Sequence, residues 1–250
     1  MDVHHHPNVV RKRFKEYFLE FLMIFLAVTL GFFAESTREH LADDAKEKQY
    51  IRSMIEDLKN DTSKLKDVID HNIQRISGID SLASLLNKTP LTAADEKEIY
   101  TLNRNHASNV IRMIWNDETI RQLLASGNLR LMNREGISDS IMSYYGPLKD
   151  RAVDQADVLY ESVKRHFFGA EDIFDRSYIK VRINEDSTIS RVPLPDTVKL
   201  LTREKTVLKK YAQMVLTTKG LIYNYLSMLF NMYKHAKTLL LFLQAKYDIK

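Results

Sequence analysis

Apolar residues fall in three different rhythms along this chain, and each rhythm predicts a different element. From Phe14 to Ala34 they are almost continuous; the run YFLEFLMIFLAVTLGFFA at 17–34 is interrupted only by Glu20 and Thr29. At about 1.5 Å of rise per residue, this stretch is long enough as a helix to cross the roughly 30 Å hydrocarbon core of a bilayer. From Ile51 onward the rhythm changes to a repeat of seven: Ile51, Leu58, Leu65, Asn72, Ile79 and Leu86, with a companion row of Ile55, Thr62, Ile69, Ile76 and Ala83. The same period returns near the C-terminus in Leu201, Leu208, Val215, Ile222, Leu229, Ala236 and Leu243, joined by Tyr211, Tyr225, Met232 and Leu239. Sustained heptads predict long helices packed side by side. Between Ser177 and Val192 the period is two, which predicts a small β-hairpin turning at 184–187.

Punctuation between these runs sets the predicted boundaries. Neither Gly nor Pro interrupts 33–77, so the apolar helix should continue into the first heptad helix and end near Asn87-Lys88-Thr89-Pro90. Thr92 and Asp95 have the spacing of a capping box and predict a new helix there. The region to Phe168 reads as broken helix. Asn103–Asn105 is a weak point, Asn116-Asp117 caps a short helix holding Ile120, Leu123 and Leu124, and Ser126-Gly127-Asn128 closes it. A further helix carries Ile137, Ile141 and Tyr145 until Gly146-Pro147 breaks it. Pro195-Asp196 is read as the start of the last helix with Asp196 as its cap, and Gly220 as the place where that helix would bend. The predicted fold is therefore all-α: an N-terminal transmembrane helix continuous with an elongated antiparallel helical bundle, plus the small hairpin.

A cleaved signal peptide fits the apolar segment poorly. Its core is too long, and a cut after Ala34 would place bulky Phe32 where a small side chain is needed. Arg11, Lys12, Arg13 and Lys15 precede the span, whereas Arg38, Lys46 and Lys48 beyond it are offset by Glu39, Asp43, Asp44 and Glu47. That bias predicts a cytoplasmic tail at 1–13, a span at 14–34 and an extracytoplasmic bundle at 35–250 in the periplasm of a bacterial inner membrane. The absence of cysteine is compatible with an oxidising compartment.

One face of the span is distinctive. At 100° per residue, Glu20, Ile24, Ala27, Gly31 and Ala34 form a single stripe. Ala27 and Gly31 make a small-xxx-small pair that lets helix backbones approach closely. A carboxylate at that depth must snorkel towards Lys12 or Arg13, pair, or hold a proton. The stripe is thus read as a helix-packing face for a second copy or another membrane protein. An ion-coupled role for Glu20 is the narrower alternative.

Composition adds exclusions. Charged residues make up 28% and the net charge is only +4 with the basic residues dispersed, so no nucleic-acid partner is expected. No phosphate loop or nucleophile constellation is present, and the reading is of a non-enzyme without cofactor. His4, His5 and His6 form the only histidine cluster, on a tail, and the other histidines lack ligand spacing, so no metal site is expected. The one stretch with concentrated chemistry lies between Trp115 and Tyr145. Trp115, Asn128, Arg130, Tyr144 and Tyr145 are candidate lining for a ligand or partner pocket where the helix is broken, against the simpler reading of aromatic gap-fillers.

LEFLMIFLAVTLGFFAE (19–35), YIRSMIEDLKND (50–61) and LLASGNLRLM with ISDSIMSYY (123–145) resemble a family of single-span, helical inner-membrane proteins common in Bacteroidota-type bacteria. The resemblance covers roughly the first 150 residues. It implies an inner-membrane location and a helical outer domain, and brings no activity with it. The expected function is that of a membrane-anchored structural or interaction module, acting by self-association or through an envelope partner. The alternatives are a ligand-sensing outer domain that signals through a partner, and an accessory subunit of an ion-driven complex.

Overall fold

The computed structural model describes residues 14–132 and 134–249. The predicted tail at 1–13, with its histidines and Arg11, Lys12 and Arg13, lies outside the described residues. The chain divides into two compact units, Met1–Tyr50 and Ile51–Lys250. The division coincides with the first position of the heptad row.

Helix α1 (Phe14–Asn87) is a single helix of 74 residues, as the lack of Gly and Pro predicts, and it ends where expected. Within the second unit both predicted rows of α1 are turned inward: Ile51, Leu58, Leu65 and Ile79 are fully buried, with Asn72 among them. A third row, Met54, Asp61, Val68, Arg75 and Leu82, is buried too, and it places a carboxylate and a guanidinium in the core.

Helix α2 (Ala93–Leu102) begins with the complete capping box. The Asp95 amide donates to Thr92 Oγ1 at 3.2 Å, the Thr92 amide donates to Asp95 Oδ2 at 2.8 Å, and Lys88 adds an ion pair to Asp95 at 2.7 Å. At Asn103 the helix widens into a π-helical turn, Asn103–Ala107, and the chain runs on without regular structure to Asp117. Helix α3 (Glu118–Ala125) buries Ile120 and Leu123, while Leu124 is exposed. Gly127 takes the left-handed conformation that closes it, and a 3-10 turn follows at Asn128–Leu131. Helix α4 (Ile137–Ser143) passes through a π-helical turn at Tyr144–Leu148 into α5 (Lys149–Phe168), with Gly146 out of helical geometry ahead of Pro147. The ring of Pro147 disfavours helix in the residue before it, which is the cause of the kink.

The hairpin is shorter than predicted. Strands β1 (Val181–Ile183) and β2 (Ile189–Arg191) pair antiparallel with Ile183 opposite Ile189. Residues 176–178 form a 3-10 turn because the Asp175 side chain accepts the Ser177 amide. A two-stranded hairpin is marginal by itself. This one is tied down by Arg191, which donates to Asn105 Oδ1 at 2.6 Å, and by Arg104, which donates to the Val192 carbonyl at 3.2 Å.

The start of the last helix differs from expectation. Helix α6 (Lys205–Tyr247) begins nine residues after Asp196, at an N-cap of Glu204. Asp196 pairs with Lys97 at 2.5 Å instead of capping. The intervening chain is held extended by tertiary contacts: Val198 and Leu200 are buried, Tyr100 donates to the Lys199 carbonyl, and the Leu201 amide donates to the Ile173 carbonyl. Leu201 is consequently outside the helix and exposed. From Leu208 on, every predicted heptad residue of α6 is buried, and Thr218 completes the second row. The helix continues through Gly220 without a break.

Contacts give the helix directions in this unit. Moving forward along α6, Leu208 lines a cavity with Leu86, Lys219 pairs with Asp80, and Tyr223 to Asn231 line a cavity with Ile73 and Ile76. Helices α1 and α6 are therefore antiparallel. The same holds for α5, where His166 meets Tyr211, Ser162 meets Thr218, and Ala156 lines a cavity with Tyr225.

Candidate functional site

The apolar part of α1 is long and apolar enough, by length and composition, to cross a membrane, and none of that window is buried in the protein. Phe14, Phe32 and Phe33 are each at least 70% exposed. The core helix of a soluble protein would hide such side chains. On the predicted stripe, a Cβ added at Gly31 meets nothing within 4 Å. No packing inside this chain requires a small residue there.

The Trp115–Tyr145 region is a packed cluster built around a buried carboxylate. Asp61 is fully buried and accepts three hydrogen bonds: from the Asn116 amide and Nδ2, both at 2.9 Å, and from Tyr144 Oη at 3.0 Å. Burial pushes the Asp61 carboxyl up, while these donors and nearby Lys64 pull it back. Tyr144 stacks edge-on with Trp115 and with Tyr145, and burial raises both phenols well above their ordinary range. Of the predicted set, the structure brings Trp115, Tyr144 and Tyr145 together. Trp115 and Tyr144 line different cavities, with Arg112 and Tyr225 in one case and with His235 and Phe242 in the other. Arg130 is exposed and Asn128 is half-buried on the 3-10 turn.

A second polar centre lies in the third heptad row. Arg75 is 2% exposed, and its partners are neutral: the His106 carbonyl and Asn72 Oδ1, both at 3.0 Å. Its Nη2 and both ring nitrogens of buried His166 have no hydrogen-bond partner among the described residues. Burial lowers the Arg75 guanidinium to about 10; burial, then the Arg75 charge, lowers His166 to about 4. Tyr211, edge-on to His166, donates to Asn103 Oδ1 at 2.6 Å. Arg75 and Tyr211 thus both brace the π-helical turn that follows α2.

That turn forms one wall of a cavity of about 210 Å³ at the base of the hairpin. Asn103, Arg104 and Ser108 line it from the turn, Phe167, Ala170 and Phe174 from the end of α5 and the segment after it, and Arg176, Lys180 and Arg191 from the hairpin and its approach. Sequence reasoning missed this site. Its pieces were visible as a weak point at 103–105 and an alternating stretch at 177–192, but nothing local says that they meet. Among the described residues no group of three or more potential metal ligands lies together.

In comparisons with known proteins, no family model, curated protein or solved structure matches this chain.

Proposed function

We propose that this chain is a single-pass, membrane-anchored helical module that works by interaction: its N-terminal segment holds a helical domain at the bacterial inner membrane, with the N-terminus cytoplasmic and residues 35–250 in the periplasm. The observation that carries this reading is that none of the apolar window of α1 is buried, in a chain that otherwise buries its large heptad residues. Lipid is the medium in which such a surface is satisfied without a protein partner on every side. Charge before the span supports the orientation.

Within the bilayer, the stripe of Glu20, Ile24, Ala27, Gly31 and Ala34 is the face that meets a partner helix, in a second copy or in another membrane protein. Cysteines placed singly at Ala27 and Gly31 test self-association. Oxidative crosslinking of the chain in membranes should trap dimers at these two positions and not at Leu26 or Leu30, which lie off the stripe. Equal or absent trapping at all four overturns self-association and leaves docking on another protein.

The basic cavity favours one further reading, a ligand-binding outer domain that reports to a partner across the membrane.

A further inference from the structure

The cavity at the base of the hairpin gathers four cations and no carboxylate. Arg104, Arg176, Lys180 and Arg191 line it, and none of them forms an ion pair among the described residues. Asp175, next to Arg176 in sequence, turns its carboxylate to the Ser177 amide. The simplest account of the arginines is that they clamp the hairpin, and each does make one such bond: Arg104 to the Val192 carbonyl, Arg176 to the Phe167 carbonyl and Arg191 to Asn105. A guanidinium carries five N–H donors. Arg176 also stacks its guanidinium on the Phe167 ring at 3.9 Å, but one hydrogen bond to a neutral acceptor leaves most N–H donors of each fork uncommitted, and the buried Arg104 Nε has no partner among the described residues. A clamp also gains nothing from placing like charges together. Burial, and then the Arg191 charge, hold the Arg104 guanidinium below its ordinary range. Behind the same turn, Arg75 is a further buried cation without a carboxylate. What is missing from this arrangement is an anion.

Shape and lining narrow the class. About 210 Å³ is below the roughly 300–1,000 Å³ of pockets for drug-sized ligands, so the occupant is small. Phe167 and Phe174 make part of the wall apolar, so it has an apolar body. Arginine forks match carboxylate and phosphate oxygens in pairs. We propose that this cavity binds a small amphipathic oxyanion, a carboxylate or phosphate ester whose charged end is held by Arg104, Arg176, Arg191 and Lys180 and whose apolar end lies against Phe167 and Phe174.

The test is calorimetric titration of the full-length chain in a non-ionic detergent at low salt, with phenyl phosphate, hexanoate and dihexanoyl phosphatidic acid as probes. Saturable one-to-one binding of at least one probe is expected, weakening as salt is raised. Arg191→Gln and Lys180→Gln should each weaken it about tenfold; Lys180→Gln, at an exposed position, should do so with unchanged thermal melting, whereas Lys209→Gln on α6 should leave binding unaltered. Preference for phosphatidic acid identifies the ligand as a lipid head group, and preference for the other two identifies a free acid; either supports the site. No binding of any probe, or equal affinity in the Arg191→Gln, Lys180→Gln double variant, overturns it. The outcome is independent of whether α1 spans a membrane.

Discussion

Tyr144 donates its phenolic hydrogen to Asp61 at 3.0 Å, across 83 residues of sequence and with both side chains buried. This contact fastens the π-helical turn between α4 and α5 to the third heptad row of α1. Tyr144→Phe removes a donor to a buried carboxylate that keeps its two bonds from Asn116. A loss of about 1–3 kcal/mol is expected, read as a lower midpoint in denaturant. Asp61→Leu should cost more than Tyr144→Phe, because it strands the donors of both Tyr144 and Asn116 in the core.

His166 gives the fold an acid-sensitive point. Burial, reinforced by Arg75, lowers its pKa to about 4, against about 6.5 in an unfolded chain. A depressed histidine contributes its full stability above pH 6.5. That contribution falls as pH drops from 6.5 towards 4, by about 1.4 kcal/mol per pH unit, because only the unfolded chain takes up the proton. His166→Leu should abolish this part of the pH dependence. Unfolding curves of parent and variant between pH 7 and 4 check it, and parallel pH profiles would disprove it.

Gly78 makes room for a ring. A Cβ at this position would lie 2.1 Å from His106 Cγ, so Gly78→Ala must displace the His106 ring, on the π-helical turn whose His106 carbonyl accepts from Arg75. The expected cost is about 1–3 kcal/mol, measured in denaturant. Because Arg104 rides on the same turn, anion binding should weaken along with stability.

The start of α2 is sensitive to stronger acid. Hydrogen bonds from Lys88 and from the Thr92 amide and hydroxyl lower the Asp95 carboxyl to about 2. Its contribution is therefore present above about pH 4 and is lost as pH falls towards 2. Thr92→Ala should remove the other half of the box, at a cost of about 1 kcal/mol. Helix-sensitive circular dichroism at neutral pH checks the substitution, and a titration down to pH 2 checks the window.

Much of this architecture is legible in the sequence, and the exceptions share a cause. Ile51 to Leu86 and Leu208 to Leu243 announce their buried faces because apolar residues at heptad spacing have one way to leave water. The row through Met54, Asp61, Val68, Arg75 and Leu82 is equally buried, yet nothing local in the sequence marks Asp61 and Arg75 as core residues, because charge alone carries no sign of a partner. Their partners, Asn116, Tyr144 and His106, lie tens of residues away. Asp196 misled for a related reason. It has the chemistry of a cap, but Lys97 takes its carboxylate while Val198 and Leu200 draw the following chain into the core. The anion cavity is the extreme case, since Arg104 and Arg191 meet only after the hairpin docks on the turn behind α2. Of the pocket read around Trp115, the aromatic residues do assemble, but around Asp61.

The most direct test of the account is alkaline carbonate extraction of membranes from cells expressing the full-length chain. The uncleaved protein should remain in the membrane pellet and be released only by detergent, as the proposed placement of residues 14–34 in the hydrocarbon core requires. Recovery of the chain in the carbonate supernatant, or of a form lacking its first 34 residues, would contradict the membrane anchor on which the proposed function rests.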